Sequence, residues 1–331
     1  MVKRPSFVRA AAFLSAASFC VLTGCAGAGA PPATRGTSAA VQSEARALIQ
    51  TGSTTSRLYA ADAGGFPPDG PVYFYNAYGT HQAPLGHFGR FSSPYAIATD
   101  LAGNIYVPDQ GHSPYDGRVF VFASVKTQPF LTLDDKGGLP SDLAVATDGT
   151  VYVANGYDQH GCGGGDVRVF KQGQSTASYT ICDAAIGQDY SQVNGVAIDA
   201  DGDVFVTWES ASETYGLVRE YTPGPKFKGH FLPPTFKDPY AVAIDGAKDI
   251  LVSDVAVPAV EVFAPGSKTP KYTFAQTGDP VRVAFGPSFK RIFIADALAN
   301  QIDEYDYPAG TLINTIAFPG QQLDGIALSP P

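Results

Sequence analysis

An all-β ring of six similar sheets is the fold this sequence predicts, and three observations carry the prediction. A short apolar strand ending in Ala comes round six times, at Ala98, Ala146, Ala197, Ala243, Ala284 and Ala327, in steps of 48, 51, 46, 41 and 43 residues. Every complete period then runs through a turn, a second strand and a third strand that holds an aromatic. The two ends of the chain carry complementary fragments of one further period. A repeat of this length built only from strand-like runs is the signature of a radial array of small sheets, a β-propeller.

The first strands read Ala-Ile-Ala-Thr-Asp at 96–100, Ala-Val-Ala-Thr-Asp at 144–148, Gly-Val-Ala-Ile-Asp at 195–199, Ala-Val-Ala-Ile-Asp at 241–245, Arg-Val-Ala-Phe-Gly at 282–286 and Gly-Ile-Ala-Leu-Ser at 325–329. Small residues suit the innermost strands, which converge on a crowded axis. Polar Gly-containing turns such as Ala102-Gly103-Asn104 and Asp201-Gly202-Asp203 then close a hairpin. The second strands are β-branched and aromatic runs: Ile105-Tyr106-Val107, Val151-Tyr152-Val153, Val204-Phe205-Val206, Ile250-Leu251-Val252 and Ile292-Phe293-Ile294, with Leu58-Tyr59-Ala60 as a sixth copy. The third strands place an aromatic three residues after a Val or Ile, in the pairs Val72/Tyr75, Val119/Phe122, Val167/Phe170, Val218/Tyr221, Val260/Phe263 and Ile302/Tyr305.

The N-terminal copy, 58–91, lacks a first strand, and Leu323–Ser329 is a first strand with nothing after it. Joined, they complete one blade from both termini and leave no open sheet edge. The expectation is a six-bladed ring over residues 58–331.

Residues 1–24 read as a secretory leader: Lys3, Arg4 and Arg9 precede an apolar run from Ala10 to Leu22, too short for a stable span. The run ends in Leu22-Thr23-Gly24-Cys25, which resembles the bacterial lipobox; the resemblance implies lipidation of Cys25 and sorting to the outer membrane of a Gram-negative host, since Ala26 follows the Cys. Residues 25–57, rich in Ala, Gly, Pro, Ser and Thr, read as the lipidated Cys followed by a flexible tether. Loss of Lys3, Arg4 and Arg9 with the leader takes the net charge from −9 to −12. Such an acidic chain without basic clusters is not built for nucleic acid, and its contact with a membrane is expected through the lipid alone. A monomer is expected.

Of four cysteines, Cys20 leaves with the leader, Cys25 takes the lipid, and Cys162 and Cys182 remain. They flank the third and fourth strands of one blade, so antiparallel pairing brings them near each other, and an exported protein keeps such a disulfide. Two free thiols or half a metal site are the alternatives.

The blade pattern resembles the NHL-repeat propellers and, more distantly, the six-bladed lactonases of the gluconolactonase and senescence-marker family. The second resemblance implies a divalent cation in the central channel, held by an Asn of an Asn-Gly pair and an Asp of an Asp-Gly pair. Asn194-Gly195 and Asp324-Gly325 stand at that place, three residues before the marker Ala, and their oxygens would suit calcium. The same position in the other blades holds Tyr95, Leu143, Tyr240 and Val281, which are poor ligands, and a counterpart of the family's N-terminal Glu ligand is missing. Capping of strand starts by Asn and Asp is the plainer reading.

A second set follows the second strands: Asp62, Asp109, Asn155, Trp208, Asp254 and Asp296. A ring of acids suggests a cation site, but a residue repeated in every blade more often bonds the amides of its own loop. Trp208, the only Trp, breaks the set and is followed by Glu209; an aromatic on a connecting loop could join a binding surface, but packing within its loop is the plainer reading. The longest connections, 110–117, 156–166 and 209–216, lie on one face and carry Tyr115, Tyr157, His160, Trp208, Glu209 and Tyr215, the candidate binding residues. His-x-His, His-Glu-x-x-His, Gly-x-Ser-x-Gly and phosphate-loop patterns are missing from the sequence. Asp199-Ala200-Asp201-Gly202-Asp203 imitates a calcium loop without the distal Glu and falls on a hairpin turn.

These readings point to a non-catalytic binding or scaffolding module at the bacterial cell envelope, needing no cofactor and meeting a protein or glycan on its loop face. The alternative is a calcium-dependent lactonase or related hydrolase using Asn194 and Asp324.

Overall fold

The computed structural model describes residues 56–330, apart from 65–69, 79–82, 113–114, 125, 159–161, 163, 183–189, 211–214, 225, 232–235 and 276–277. The leader, Cys25 and the tether to residue 55 lie outside the described residues. Within them every regular element is a strand, and the strands form six antiparallel sheets of four.

Blade 1 unites β1 (Arg57–Asp62), β2 (Gly70–Asn76) and β3 (Gly86–Phe91) with the last strand of the chain. Blade 2 holds β4 (Ala98–Thr99), β5 (Asn104–Asp109), β6 (Arg118–Ala123) and β7 (Leu131–Asp134); blade 3 holds β8 (Gly138–Val145), β9 (Val151–Asp158), β10 (Asp166–Phe170) and β11 (Tyr179–Ile181). Blade 4 holds β12 (Tyr190–Ile198), β13 (Val204–Ser210), β14 (Gly216–Tyr221) and β15 (Phe227–Phe231). Blade 5 holds β16 (Pro239–Ile244), β17 (Ile250–Asp254), β18 (Ala259–Phe263) and β19 (Tyr272–Ala275). Blade 6 holds β20 (Pro280–Phe285), β21 (Arg291–Asp296), β22 (Gln301–Asp306) and β23 (Leu312–Ala317), after which β24 (Leu323–Leu328) returns to blade 1.

The closure predicted from the two chain ends is present. β24 pairs with β1 in the register Leu58↔Leu328, Tyr59↔Ala327 and Ala60↔Ile326. Ser329 and Arg57 add two bonds of 2.9 Å, one from the Ser329 amide to the Arg57 carbonyl and one from the Arg57 amide to Ser329 Oγ. The innermost strands touch in the cyclic order β24, β4, β8, β12, β16, β20 and back to β24, so blades 3 and 6 face each other across the axis, as do blades 2 and 5.

The Val/aromatic pairs explain how the ring holds together. Residues three apart on a strand point to opposite faces, and each face of a blade meets a different neighbour. Val119 of β6 joins the cluster shared with blade 3, while Phe122 joins the one shared with blade 1. Val167 and Phe170 of β10 divide likewise between blades 4 and 2, and Val218 and Tyr221 of β14 between blades 5 and 3. Val260/Phe263, Ile302/Tyr305 and Val72/Tyr75 repeat the pattern, so the aliphatic member always packs forward and the aromatic backward. Six such clusters make the core, and truncating one of their aromatics to Ala should cost about 3–5 kcal/mol.

Two expectations are corrected. Of the first strand expected at 96–100 only Ala98–Thr99 enters the ladder. Ala96 is instead pressed against blade 1, where a Cβ on Gly325 would come within 2.7 Å of the Ala96 backbone. The second strands of blades 3 and 4 run further than expected, to Asp158 and Ser210, because β8 and β12 continue opposite them through bulges, with Gly138↔Asp158 and Tyr190↔Ser210 as the last pairs. Cys162 and Cys182 form the predicted disulfide, with Cα atoms 5.3 Å apart and a sequence separation of 20. Closing a loop of that size stabilises by about 3 kcal/mol in the chain-entropy picture.

Candidate functional site

Two sets of polar residues stand where the repeat places side chains near the loop face. The first is the set that follows the second strands, and its members clamp their own blades. Asp109 accepts the amides of Ser92, Ser93 and Gly111 at 2.7–3.2 Å. Asp254 accepts those of Lys237, Asp238, Ala256 and Val257 at 2.8–3.2 Å. Asp62 takes Gly64, Gln321 and Gln322, and Asp296 takes Asp279 and Ala299. Each carboxylate thus ties the segment leading into the inner strand to the turn leaving the second strand.

Blade 3 reaches the same end with other chemistry. The Asn155 amide donates to Asp166 at 2.7 Å and to Asp135 at 3.4 Å, while Arg168 bridges both acids at 3.3 and 3.4 Å and donates to the Lys136 carbonyl. In blade 4 Trp208 takes the position. It is 2 % exposed on β13, packed among Tyr152, Ala154, Val167, Val193 and Leu217, so it packs, in the core between two blades and not within a loop or on a binding surface. Glu209, also expected on a loop, is buried on β13, where its Oε2 accepts the Asn194 amide at 2.9 Å.

Of the other loop-face residues, Tyr115 and Tyr157 meet, with ring centroids 5.5 Å apart, and join the connections of blades 2 and 3. Tyr115 holds a left-handed backbone (φ 67°), which costs a non-glycine residue of order 1 kcal/mol. Its carbonyl accepts the Gly137 amide at 2.7 Å. Tyr215 is 40 % exposed on the blade 4 connection. His160 lies outside the described residues.

The second set stands on the axis and comprises residues from all six innermost strands or their lead-in segments: Asp324, Tyr95, Asp142, Asn194, Tyr240 and Arg282 from blades 1 to 6 in turn. Arg282 is 5 % exposed. Its guanidinium leaves β20 and crosses to the opposite blade, where it bonds the Ser141 carbonyl and lies 3.6 Å from the Asp142 carboxylate. Nη1 donates to the Val281 carbonyl at 2.7 Å, and the group rests on the Tyr240 ring, 5.0 Å from its centroid. Asp142 in turn accepts the Val196 amide of blade 4 at 3.0 Å. Burial raises the Asp142 carboxyl, with Arg282 pulling the other way. It also raises the Tyr240 hydroxyl, with the Asp324 charge adding and Arg282 opposing, and the Tyr95 hydroxyl, where Asp324 again adds.

Asn194 and Asp324 come to the axis as expected, but the surrounding groups do not fit a divalent cation. The Asn194 amide is turned to Glu209 and to the Pro239 carbonyl, and Asp324 accepts from Gln322 at 2.8 Å. A guanidinium already occupies the axis, and a second cation beside it would be repelled. The Gly of each pair has a packing reason as well. A Cβ on Gly195 would lie 2.7 Å from the Tyr240 carbonyl oxygen, as one on Gly325 would meet Ala96. The carboxylates of Asp199, Asp201 and Asp203 do gather within 4.8 Å. Lys248 pairs with Asp199 and Asp201, Lys228 pairs with Asp203 and Glu220, and Asp199 caps the turn through the amides of Asp201 and Asp203.

Arg282 and Asp142 had no place among the sequence candidates. One signal for Arg282 was legible: the residue two before the marker Ala is Ala or Gly in the other five blades and Arg only in blade 6.

No family model and no curated protein matches the chain. Solved structures do. A chain of the crystal structure of the nidogen/laminin complex is 13% identical, with a TM-score of 0.64, covering 83% of this chain and 98% of its own. A protein of unknown function from Bacteroides caccae is 12% identical, with a TM-score of 0.62, over 84% and 100%. At these identities the likeness shows the fold and nothing finer: the chain is a six-bladed β-propeller.

Proposed function

We propose that the protein is a non-catalytic binding or scaffolding module, held at the bacterial cell envelope by a lipid on Cys25 and offering its loop face to a protein or glycan. The observation that carries this reading is the contrast between axis and face. On the axis Arg282 is engaged with Val281, Ser141, Asp142 and the Tyr240 ring, whereas the face carries the Tyr115–Tyr157 pair in a strained loop and the exposed Tyr215. Strain of this kind persists where the surroundings enforce it, and aromatic rings on rigidly framed loops are common recognition groups.

Two experiments test the parts separately. Cells expressing the wild type should incorporate labelled palmitate into the protein, and Cys25→Ser should abolish the label; label retained in that variant rejects the anchor. For the loop face, envelope extracts and a glycan array are probed with wild type and with Tyr115→Ala/Tyr157→Ala. A ligand held by the wild type and lost at least tenfold by the double variant, at unchanged melting temperature, supports the reading. A hydrolase activity abolished by chelator would overturn it in favour of the lactonase.

A further inference from the structure

We propose that Arg282 is a built-in cation: its guanidinium balances the buried Asp142 carboxylate and ties opposite blades, the work that a bound metal ion does where one sits in a ring's channel. Three observations converge on it. Its acceptors come from two blades three places apart in the ring, Val281 on its own side and Ser141 and Asp142 on the other. The carboxylate it meets is buried with it, Asp142 being 7 % exposed and 3.6 Å from the guanidinium. The remaining face of the guanidinium is covered by the Tyr240 ring.

A guanidinium suits this place better than an ammonium. It stays charged when buried, spreads donors over a rigid fork and stacks on an aromatic ring. Removing it would leave two carbonyl oxygens and a carboxylate aimed at the vacated volume. That oxygen set would attract a hard divalent cation or a free guanidinium ion. The wild type should therefore be indifferent to divalent cations, and the truncated variant should acquire a need for one.

The test is thermal unfolding of the full chain as wild type, Arg282→Met, Arg282→Lys and Arg282→Ala. Each is measured in chelator, in millimolar calcium chloride and in millimolar guanidinium chloride. The wild type is expected to melt at one temperature in all three. Arg282→Met should melt lower by about 5–15 °C, because it strands a buried carboxylate. Arg282→Lys, which keeps a charge without the fork, should fall between them. Arg282→Ala should recover part of its loss in calcium or guanidinium, as a ligand bound only by the folded state requires. If Arg282→Ala does not fold, the lysine and methionine variants decide: a lysine variant that folds alone, or melts several degrees above the methionine one, upholds the role, and equal behaviour overturns it. A calcium-dependent rise of the wild type overturns it directly. These results do not depend on whether the loop face binds a partner.

Discussion

The clamps beyond the second strands and the residues on the axis differ in one respect that decides what each does. The clamps are nearly uniform, Asp in four blades, and each bonds backbone amides within the blade it belongs to, as Asp109 does with Ser92, Ser93 and Gly111. The axis residues vary from blade to blade, and one of them, Arg282, reaches across the ring to Ser141 and Asp142. A uniform residue serves a job that every blade has by itself. A varied set serves a job that exists only once the ring has closed.

Double substitutions sharpen that contrast most strongly. Arg282→Met and Asp142→Asn should each destabilise, yet together cost less than their sum by roughly 1–3 kcal/mol, since the second removes a charge the first has stranded. Asp109→Ala and Asp254→Ala, clamps in blades on opposite sides of the ring, should each cost about 2–4 kcal/mol and add to within roughly 0.5 kcal/mol. Denaturant unfolding of both four-member cycles reads the two couplings, and a large clamp coupling with none at the axis would reverse the comparison.

A smaller effect is expected at Glu261 of β18, whose carboxyl is raised first by burial and then by the nearby charge of the Asp254 clamp. A carboxyl raised in the folded state binds its proton more tightly there than when unfolded. Its contribution to stability is therefore present below the ordinary Glu range near 4.5 and is lost as pH climbs through the folded value. Glu261→Gln should raise the melting temperature slightly at neutral pH and leave it unchanged well below that range. A rise that persists in acid would mean that Asp254 and burial are not its cause.

Much of the architecture was legible because the blades repeat. Val167 and Phe170 repeat what Val119 and Phe122 do, so the six-fold period, the strand order and the shared blade at the chain ends could all be read from residue types alone. The Cys162–Cys182 disulfide was legible for a related reason: strands joined by one short turn have few ways to pair. Trp208 was misread because position in the repeat suggested a loop. The ladder with β12 runs two residues past it and carries it into the core between blades 3 and 4. The pairing of Tyr115 with Tyr157 was narrowed only to a face, because two connections from different blades settle their contact in three dimensions.

By itself, then, the sequence determined the sheets, their number and their closure, since hydrophobic period and turn chemistry are local properties that a six-fold repeat amplifies. The meeting of Arg282 with Ser141 and Asp142 was decided by the tertiary structure alone. These residues lie about 140 positions apart in the chain and share no motif. Only the geometry of a closed ring of six, which sets the third blade opposite the sixth, brings a cation from one to the carboxylate and carbonyl of the other.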